Sequence, residues 1–247
     1  RKSRGGDNTA KESRRRQHSE RVAEATTQRK SRANDDTAKE IERMRLGVFG
    51  GSFDPVHYGH LLLAEYCRTD CPLDEVRFVP TAVGPHKQHV QAVSADHRTQ
   101  MLQLAIGGHE SFTVSELEIE RGGVSYTVET LESLHREDPQ RQLLLLLGAD
   151  SLFDVPTWKN PSRICELATL VVVRRADSPE PDFSCLADFA TTAQIDAYRQ
   201  HQVSMPLIEL SSTTIRQRIV AGRSIRFQTP RAVEKYIEAH QLYAAIP

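Results

Sequence analysis

LGVFGGSFDPVHYGHLLLAEYC, residues 46–67, spells out a strand, a turn and a helix in succession. The apolar start fits a buried strand, Gly50-Gly51 interrupts it, and an apolar helical pattern resumes after Pro55. Two glycines directly after a strand let another group approach the backbone closely, because neither carries a Cβ. The following helix presents unpaired N–H groups and the positive end of its dipole at its first turn. This segment therefore predicts a site for an anion such as phosphate.

Two histidines, His57 and His60, lie on the predicted first turn, three residues apart and hence on one face of the helix. Their imidazoles are able to donate hydrogen bonds to phosphate oxygens. A single histidine is more often a surface or core residue, but its combination with the glycine turn favours an anion site. The chain has no G-x-x-x-x-G-K-[ST] loop, and no G-x-G-x-x-G follows this strand. The predicted phosphate site is thus of neither common type.

The segment GGSFDPVHYGH, residues 50–60, closely resembles the H-x-G-H loop of the nucleotidyltransferase superfamily, in particular that of bacterial nicotinate-nucleotide adenylyltransferases. In that family a pyridine mononucleotide attacks the α-phosphorus of ATP, and pyrophosphate leaves. The resemblance implies an enzyme of NAD biosynthesis that converts ATP and nicotinate mononucleotide to deamido-NAD and pyrophosphate. It implies catalytic roles for His57 and His60, and ATP contacts from both histidines and from Gly50, Gly51, Ser52 and Phe53.

A second stretch whose side chains indicate a functional site is SSTTIR, residues 211–216, which opens another predicted helix. Hydroxyl side chains cap helix starts, but four in a row exceed what a cap requires. Arg216, one turn further on, is able to bind phosphate oxygens with two parallel hydrogen bonds. The stretch resembles the family's I-S-S/A-T-x-I-R segment, which holds the β- and γ-phosphates of ATP. The resemblance implies a catalytic role for Arg216 and ATP contacts from Ser211, Ser212, Thr213 and Arg216.

Strand-like and helix-like segments alternate from residue 46 to residue 242, which predicts an α/β fold with a doubly wound parallel sheet. With the resemblance, this becomes a Rossmann-like nucleotidyltransferase fold. The expected strands are 46–49, 75–80, 112–115, 142–147, 167–173 and 207–210. Most of the chemically active side chains follow strands, so we expect them at the carboxyl edge of the sheet, where ligands bind in such folds.

Two further segments at this edge predict contacts with the nucleotide. Gly148 and Asp150 follow a leucine-rich strand, where a carboxylate suits ribose hydroxyls, and the family has G-x-D-S here. Capping of the next helix by Asp150 is the alternative. Arg174 ends the strand after that and fits a nucleotide contact, although arginines at strand ends are usually solvated.

The acceptor is predicted to lie opposite ATP. His86 and Lys87 follow the second strand, where the family's similar PPHK or PPHR loop contacts the mononucleotide phosphate; a solvated lysine is the alternative. Tyr126 and Thr127 belong to a Ser-Tyr-Thr segment that resembles the one with which the family recognises the substituent of the pyridine ring. An ordinary N-cap at Ser125 is the alternative without a functional role. Trp158 could stack on the pyridine ring or could simply belong to the core.

Residues 1–44 predict a disordered basic extension ahead of a nucleotidyltransferase domain over residues 45–247. Residues 1–45 hold 14 Lys and Arg against 8 Asp and Glu, and they contain no Phe, Trp or Tyr. Such a segment buries too little apolar surface to offset the entropy of ordering it. Residues 1–12 recur at 29–40 with nine of twelve positions identical, which is too few copies for a solenoid. A solvated extension is favoured over a contact with nucleic acid.

The remaining expectations concern cofactor, location and assembly. Mg²⁺ is expected on the triphosphate, although no carboxylate cluster marks a metal site built by the protein alone. The longest apolar runs fall far short of the ~20 residues that span a membrane, and no apolar leader opens the chain. Together with four cysteines read as free thiols, this predicts a cytoplasmic protein. A homo-oligomer is left open.

Two alternatives for the function also stay open. The acceptor could be nicotinamide mononucleotide or phosphopantetheine; the Ser-Tyr-Thr segment and Trp158 favour a pyridine, and only the resemblance favours the acid. A non-catalytic nucleotide-binding protein, tethered to nucleic acid by its basic tail, is the other alternative. The two histidines and the Ser-Thr-Arg stretch count against it, because a binding module has no need of both halves of a transfer site.

Overall fold

The computed structural model describes residues 43–84, 93–175 and 179–244. Apart from residues 43 and 44, the predicted extension lies outside this part of the chain. The described residues form one six-stranded sheet in which every neighbouring pair of strands is parallel. The strands are β1 Arg45–Gly51, β2 Glu75–Pro80, β3 Phe112–Val114, β4 Gln142–Gly148, β5 Ala168–Arg175 and β6 Gln202–Met205.

Nine α-helices connect and cover these strands within the described ranges. They are α1 Tyr58–Asp70, α2 Ala95–Ile106, α3 Leu117–Arg121, α4 Thr127–Glu137, α5 Ala149–Leu152, α6 Pro161–Leu167, α7 Thr192–Gln200, α8 Ser212–Val220 and α9 Arg231–Ala239. None of them is long and apolar enough to cross a membrane.

The strand order is β3-β2-β1-β4-β5-β6, so the direction in which strands are added reverses between β1 and β4. In doubly wound sheets this reversal opens a crevice at the carboxyl ends of the two central strands, and ligands bind there. The predicted fold class is confirmed.

The leucine run of β4 shows why the sheet is buried on both faces. Leu144 and Leu146 pack into one core with residues of α1, α2, α8 and α9. Leu143 and Leu145 pack into the other core with residues of α4, α6 and α7. A strand that is apolar at every position needs cover on both sides, and a parallel sheet with helices on both faces provides it.

The predicted position of the last strand is wrong. Residues 207–210 were expected to form it, but the strand is β6, which pairs with β5 through Val203 and Val173. Val203 and Met205 are buried with an exposed Ser204 between them, so this segment has the two-residue period of a strand. Pro206 follows directly, and the apolar Leu207 is 49% exposed. The largely apolar residues 207–210 therefore form a loop at the edge of the candidate site.

We expect Gly47→Ala to destabilise the fold by about 1–3 kcal/mol, the usual effect of overfilling a packed core. Gly47 lies in β1, and a Cβ there would stand 2.7 Å from Leu73 Cδ1 and 3.3 Å from Val76 Cγ2. Urea denaturation measures the change. Gly50→Ala in the same strand is the matched control, because a Cβ at Gly50 would meet no heavy atom within 4 Å. Equal midpoints for the two variants would contradict the prediction.

Candidate active site

The loop between β1 and α1 is anchored by an aromatic residue. Phe53 adopts a positive φ of 47° and turns its ring into the core, where it lies 5.4 Å from Phe49 and 5.7 Å from Phe78 between ring centroids. The centroid of the His60 ring lies 5.1 Å from that of Phe53. Phe53 was predicted as an ATP contact, but its side chain is fully buried, which leaves only its backbone for such a contact.

The two histidines form a stacked pair at the start of α1. The ring centroids of His57 and His60 are 3.7 Å apart, with an angle of 22° between the ring planes. The backbone N–H of His57 donates to Nδ1 of His60 at 3.2 Å. Nδ1 of His60 is thereby the acceptor, so the neutral ring carries its proton on Nε2. This arrangement fixes one tautomer and leaves an N–H for a ligand.

Burial keeps both imidazoles neutral. It lowers the pKa of His57 to about 4, and it lowers the pKa of His60 well below its ordinary value, with the neighbouring His57 adding to the effect. Nδ1 of His57 is buried and has no hydrogen-bond partner among the described residues. A buried polar atom without a partner is costly, so this nitrogen would gain from a hydrogen bond with a ligand.

The start of α8 lies directly against this loop. Ser212 donates its hydroxyl to the carbonyl oxygen of Pro55 at 2.9 Å. Arg216 donates through Nη1 to the carbonyl oxygen of Asp54 at 2.6 Å and through Nη2 to Thr213 Oγ1 at 3.3 Å. The histidine stretch and the hydroxyl-arginine stretch are therefore hydrogen-bonded to each other.

One cleft separates the starts of α1 and α8, and we call it the two-helix cleft. Seven of its lining residues were predicted ATP contacts: Ser52, His57, His60, Ser211, Ser212, Thr213 and Arg216. Ser211 also caps α8, since its hydroxyl accepts from the backbone N–H of Thr214 at 3.1 Å. The structure thus brings both predicted halves of the site to one place, and their roles toward ATP stay predictions.

A second cavity, of about 220 Å³, opens from the same histidines toward β4 and β5. We call it the switch-point cavity, and among the residues that line it are the predicted contacts His57, His60, Gly148, Asp150 and Arg174. Its other side is apolar, with Ile208 and Leu210 from the loop after β6. Gly148 is the N-cap of α5 and Asp150 lies inside that helix, so capping by Asp150 is the wrong interpretation.

A third cavity, of about 330 Å³, lies beside the start of α4, and we call it the α4 cavity. The predicted acceptor contacts Tyr126, Thr127 and Trp158 line it, together with Gly50 and Gly51 from the end of β1. Trp158 is half-buried at the cavity wall. The predicted contacts His86 and Lys87 lie outside the described residues.

Glu118 and its neighbours are site residues that the sequence did not reveal. Glu118 is 4% exposed, lines the α4 cavity and accepts a hydrogen bond from the Thr130 hydroxyl. Burial raises the pKa of this carboxyl, and hydrogen bonds from Thr130 and Ser125 oppose the rise. Ser125 also accepts from the backbone N–H of Ala82 at 3.0 Å, while Tyr126 is the N-cap residue of α4. The N-cap interpretation of Ser125 is therefore wrong.

Three more residues around the two-helix cleft were missed: Asp54, Arg98 and Tyr243. Asp54 is 5% exposed and accepts a hydrogen bond from the Tyr243 hydroxyl. Arg98 on α2 is also buried and donates to the carbonyl oxygen of Ser52 at 3.0 Å. Arg98 and Tyr243 thus hold the loop before His57 at two of its residues, Ser52 and Asp54. Asp54 lies in the GGSFDPVHYGH segment, which could have drawn attention to it.

Among the described residues, no group of three or more His, Cys, Asp or Glu is arranged to hold a metal ion. The site instead offers two helix starts, a neutral histidine pair, hydroxyls and a guanidinium around connected clefts at the switch point of the sheet. Helix starts and guanidinium groups bind phosphates, and the switch point is where doubly wound sheets bind nucleotides. Fold and site together define an α/β protein of the nucleotidyltransferase class.

Comparison with known proteins places the chain more narrowly. Residues 48–218 match the cytidylyltransferase-like family. The protein named "Probable nicotinate-nucleotide adenylyltransferase" of Rhodopirellula baltica is 42% identical over 198 residues, which cover 80% of this chain and 92% of that protein. Its namesake from Thermus thermophilus is 44% identical over 200 residues, covering 81% and 100%.

The fold is also found in a solved structure, Plasmodium falciparum nicotinic acid mononucleotide adenylyltransferase complexed with NaAD. That structure has a TM-score of 0.65 and 16% identity, and the match covers 81% of this chain and 98% of the other. The chain belongs to the cytidylyltransferase-like family and, within it, to the nicotinate-nucleotide adenylyltransferases, which are nucleotidyltransferase enzymes. The predicted family and enzyme class are confirmed.

The low pKa of His57 predicts a loss of stability in acid. The unfolded chain binds a proton at this residue below about pH 6.5, but the folded chain does so only near pH 4. The contribution to stability is therefore complete above pH 6.5 and disappears as the pH falls toward 4. Between pH 7.5 and 5.0 it should decrease by about 2 kcal/mol, measured by urea denaturation.

His57→Asn should remove this part of the pH dependence. His135→Asn is the control, because His135 lies on α4 away from the histidine pair and the variant should keep the full dependence. A pH dependence that is the same in wild type and His57→Asn would show that the folded state does not hold His57 neutral.

Proposed function

We propose that this protein transfers the adenylyl group of ATP to nicotinate mononucleotide, forming deamido-NAD and releasing pyrophosphate. The observation that carries the proposal is the convergence of a neutral histidine pair and a hydroxyl-arginine stretch on the two-helix cleft. Ser212 and Arg216 reach the loop before His57 by direct hydrogen bonds. A chain that uses both stretches on one ligand needs this arrangement.

ATP is proposed to lie across the two-helix cleft and the switch-point cavity. Its triphosphate would occupy the space between the starts of α1 and α8, where both helix dipoles favour negative charge. Its nucleoside would extend past the histidines, which line both spaces, toward Gly148, Asp150 and Arg174. The apolar side of that cavity suits a purine ring.

The hydrogen bonds at the start of α8 indicate which groups are left for phosphate. Ser212 already donates its hydroxyl proton to the carbonyl oxygen of Pro55, so Ser212 would bind a phosphate oxygen through its backbone N–H. Thr213 accepts from Arg216, so its own hydroxyl proton is available for a phosphate oxygen. Thr213, Arg216 and the first-turn N–H groups would together hold the pyrophosphate end.

The chemistry needs no protein nucleophile. A phosphate oxygen of the acceptor attacks the α-phosphorus in line, and positioning with charge stabilisation carries transfers of this kind. The Nε2–H of His60 is proposed to donate to the α-phosphate, with His57 beside it. Because both rings are neutral near pH 7, they would act as hydrogen-bond donors, and the positive charge would come from Arg216 and the helix starts.

Mg²⁺ is proposed to enter bound to the triphosphate. Asp54 is the one carboxylate among the described residues that line the two-helix cleft, and the Tyr243 hydroxyl already donates to it. These residues fit a metal held by phosphate oxygens and water rather than by a protein cage. When bound, the ion would neutralise charge on the phosphates.

The acceptor ring is proposed to occupy the α4 cavity. Trp158 would stack on the pyridine, and the first turn of α4 at Thr127 would face its carboxylate. Nicotinamide mononucleotide is the second candidate acceptor, since the buried Glu118 carboxyl in the same cavity could accept a hydrogen bond from an amide. Both acceptors fit the same enzyme class.

Pyrophosphate release from ATP, followed with each acceptor separately, tests the function. We expect turnover with nicotinate mononucleotide, less with nicotinamide mononucleotide and none with phosphopantetheine. Absence of pyrophosphate with both pyridine nucleotides would refute the proposal.

His60→Ala shows whether the turnover belongs to this site. Loss of a donor to the reacting phosphate should lower turnover by about 100-fold or more while ATP still binds. His109→Ala is the control, because His109 stacks on Phe112 and contacts Glu65 away from these clefts. Unchanged turnover in His60→Ala would refute the role given to His60.

Glu118→Ala should raise KM for the acceptor about tenfold and leave KM for ATP within twofold, the result of losing a buried hydrogen-bond partner. The reason is that Glu118 accepts a hydrogen bond from Thr130 of α4, the helix whose first turn is proposed to face the acceptor. Glu120→Ala, on the exposed side of the same helix, should change neither constant. An equal rise of both KM values in Glu118→Ala would indicate a general loss of structure instead.

A further inference from the structure

A tyrosine that follows α9 reaches back to the phosphate-binding loop. The hydroxyl of Tyr243 donates to Oδ1 of Asp54 at 2.6 Å, across a sequence separation of 189 residues. Tyr243 adopts a positive φ of 61°, and the backbone N–H of Leu242 just before it donates to the carbonyl oxygen of Ile237 at 3.0 Å. The turn after α9 is therefore shaped so that this side chain meets the loop before His57.

Asp54 connects Tyr243 with Arg216. Its backbone carbonyl accepts from Arg216 Nη1 at 2.6 Å, whereas its carboxylate Oδ2 stays 3.9 Å from the same nitrogen. The guanidinium is thus placed by a neutral carbonyl, and the negative charge stands beyond hydrogen-bond distance. Arg216 is fixed in position and its charge is only partly compensated.

Removal of the Tyr243 hydroxyl would change this balance. The carboxylate of Asp54 is buried, and a buried charge is costly unless it is paired. Loss of one partner therefore favours a new pair with another group. The Arg216 guanidinium is one candidate, with Nη1 3.9 Å from Oδ2, and arginine and carboxylate readily form a bidentate pair. The buried Arg98 also interacts electrostatically with Asp54, but its guanidinium already donates to the carbonyl oxygens of Val93 and Ser52. A pair between Arg216 and Asp54 would compete with phosphate for the same donors. Burial and the bond to Asp54 raise the pKa of Tyr243, so the phenol keeps the proton that it donates.

We propose that Tyr243 is a positioning residue for the triphosphate site: it binds Asp54 Oδ1 and so keeps the Asp54 carboxylate off Arg216, which stays available for the pyrophosphate end of ATP. The inference rests on the proposed role of Arg216 in binding ATP. It differs from a purely structural role, in which the hydroxyl would only fasten α9 to the rest of the domain.

The chain offers a matched control in Tyr236, on α9 itself. Its hydroxyl lies 2.8 Å from His97 Nδ1, so it also ties this helix to a neighbour, but neither Tyr236 nor His97 lines the two-helix cleft. Tyr243→Phe and Tyr236→Phe each remove one hydroxyl from one partly buried hydrogen bond. Only the first should affect the binding of ATP.

The experiment measures Kd for ATP with Mg²⁺ by calorimetry, KM for nicotinate mononucleotide, and the melting temperature without ligand. Tyr243→Phe should raise Kd for ATP about tenfold, because the Arg216 guanidinium would then pair with Asp54 instead of with phosphate. The same variant should leave KM for the acceptor within twofold. Tyr236→Phe should change neither, whatever its effect on the melting temperature. In the Asp54→Asn background, where no charge can capture Arg216, Tyr243→Phe should change Kd by less than twofold.

Several results would overturn the proposal. They are an unchanged Kd in Tyr243→Phe, an equal loss of both substrates, an undiminished effect in the Asp54→Asn background, and a Tyr243→Phe chain that does not fold. The calorimetry is independent of the reaction. If wild type binds ATP but releases no pyrophosphate with the acceptor, the proposed function fails while the comparison of Kd values still decides the role of Tyr243.

Discussion

Two hydrogen bonds hold the site together: Ser212 to the carbonyl of Pro55, and Arg216 to the carbonyl of Asp54. They join residues 157 and 162 positions apart in sequence. The parallel sheet brings the two stretches to the same edge, because all its strands end there. The sheet alone sets their distance only coarsely, and these direct bonds between a helix start and a loop define the width of the cleft. Every role given to the histidines and to Arg216 depends on that width.

The apolar surroundings of the histidine pair have two effects. Phe53 and Phe49 enclose the ring of His60, and the resulting desolvation keeps the imidazole uncharged. The same exclusion of water strengthens any hydrogen bond that the ring donates to a phosphate, because electrostatic interactions are stronger at low dielectric. Phe53, which contributes no side chain to the clefts, thus influences the chemistry through the environment it makes for His60.

Much of this could be predicted from sequence because the signals are local. The histidines one turn apart and the hydroxyl stretch ending at Arg216 each lie within one short segment, and the structure brings them together. The predicted turn at Gly50-Gly51 is wrong, because both glycines belong to β1 and pair with Val79 and Pro80 of β2. The rest depends on contacts between distant segments. Glu118 lies in a short, charged helix whose sequence is typical of the surface, yet it is buried and accepts a hydrogen bond from Thr130 of another helix. The prediction misplaced strand β6 because residues 207–210, which are apolar except for Glu209, resemble a strand more than the polar segment Gln202–Met205 does.

The order of the strands also affects how the protein is made. β1 lies beside β4 in the sheet, so both edges of the first strand are paired only after a distant part of the chain has been synthesised. The cleft itself is complete only after α8 has been synthesised, long after His57 and His60 have left the ribosome. No fragment that stops before α8 contains both halves of the nucleotide site.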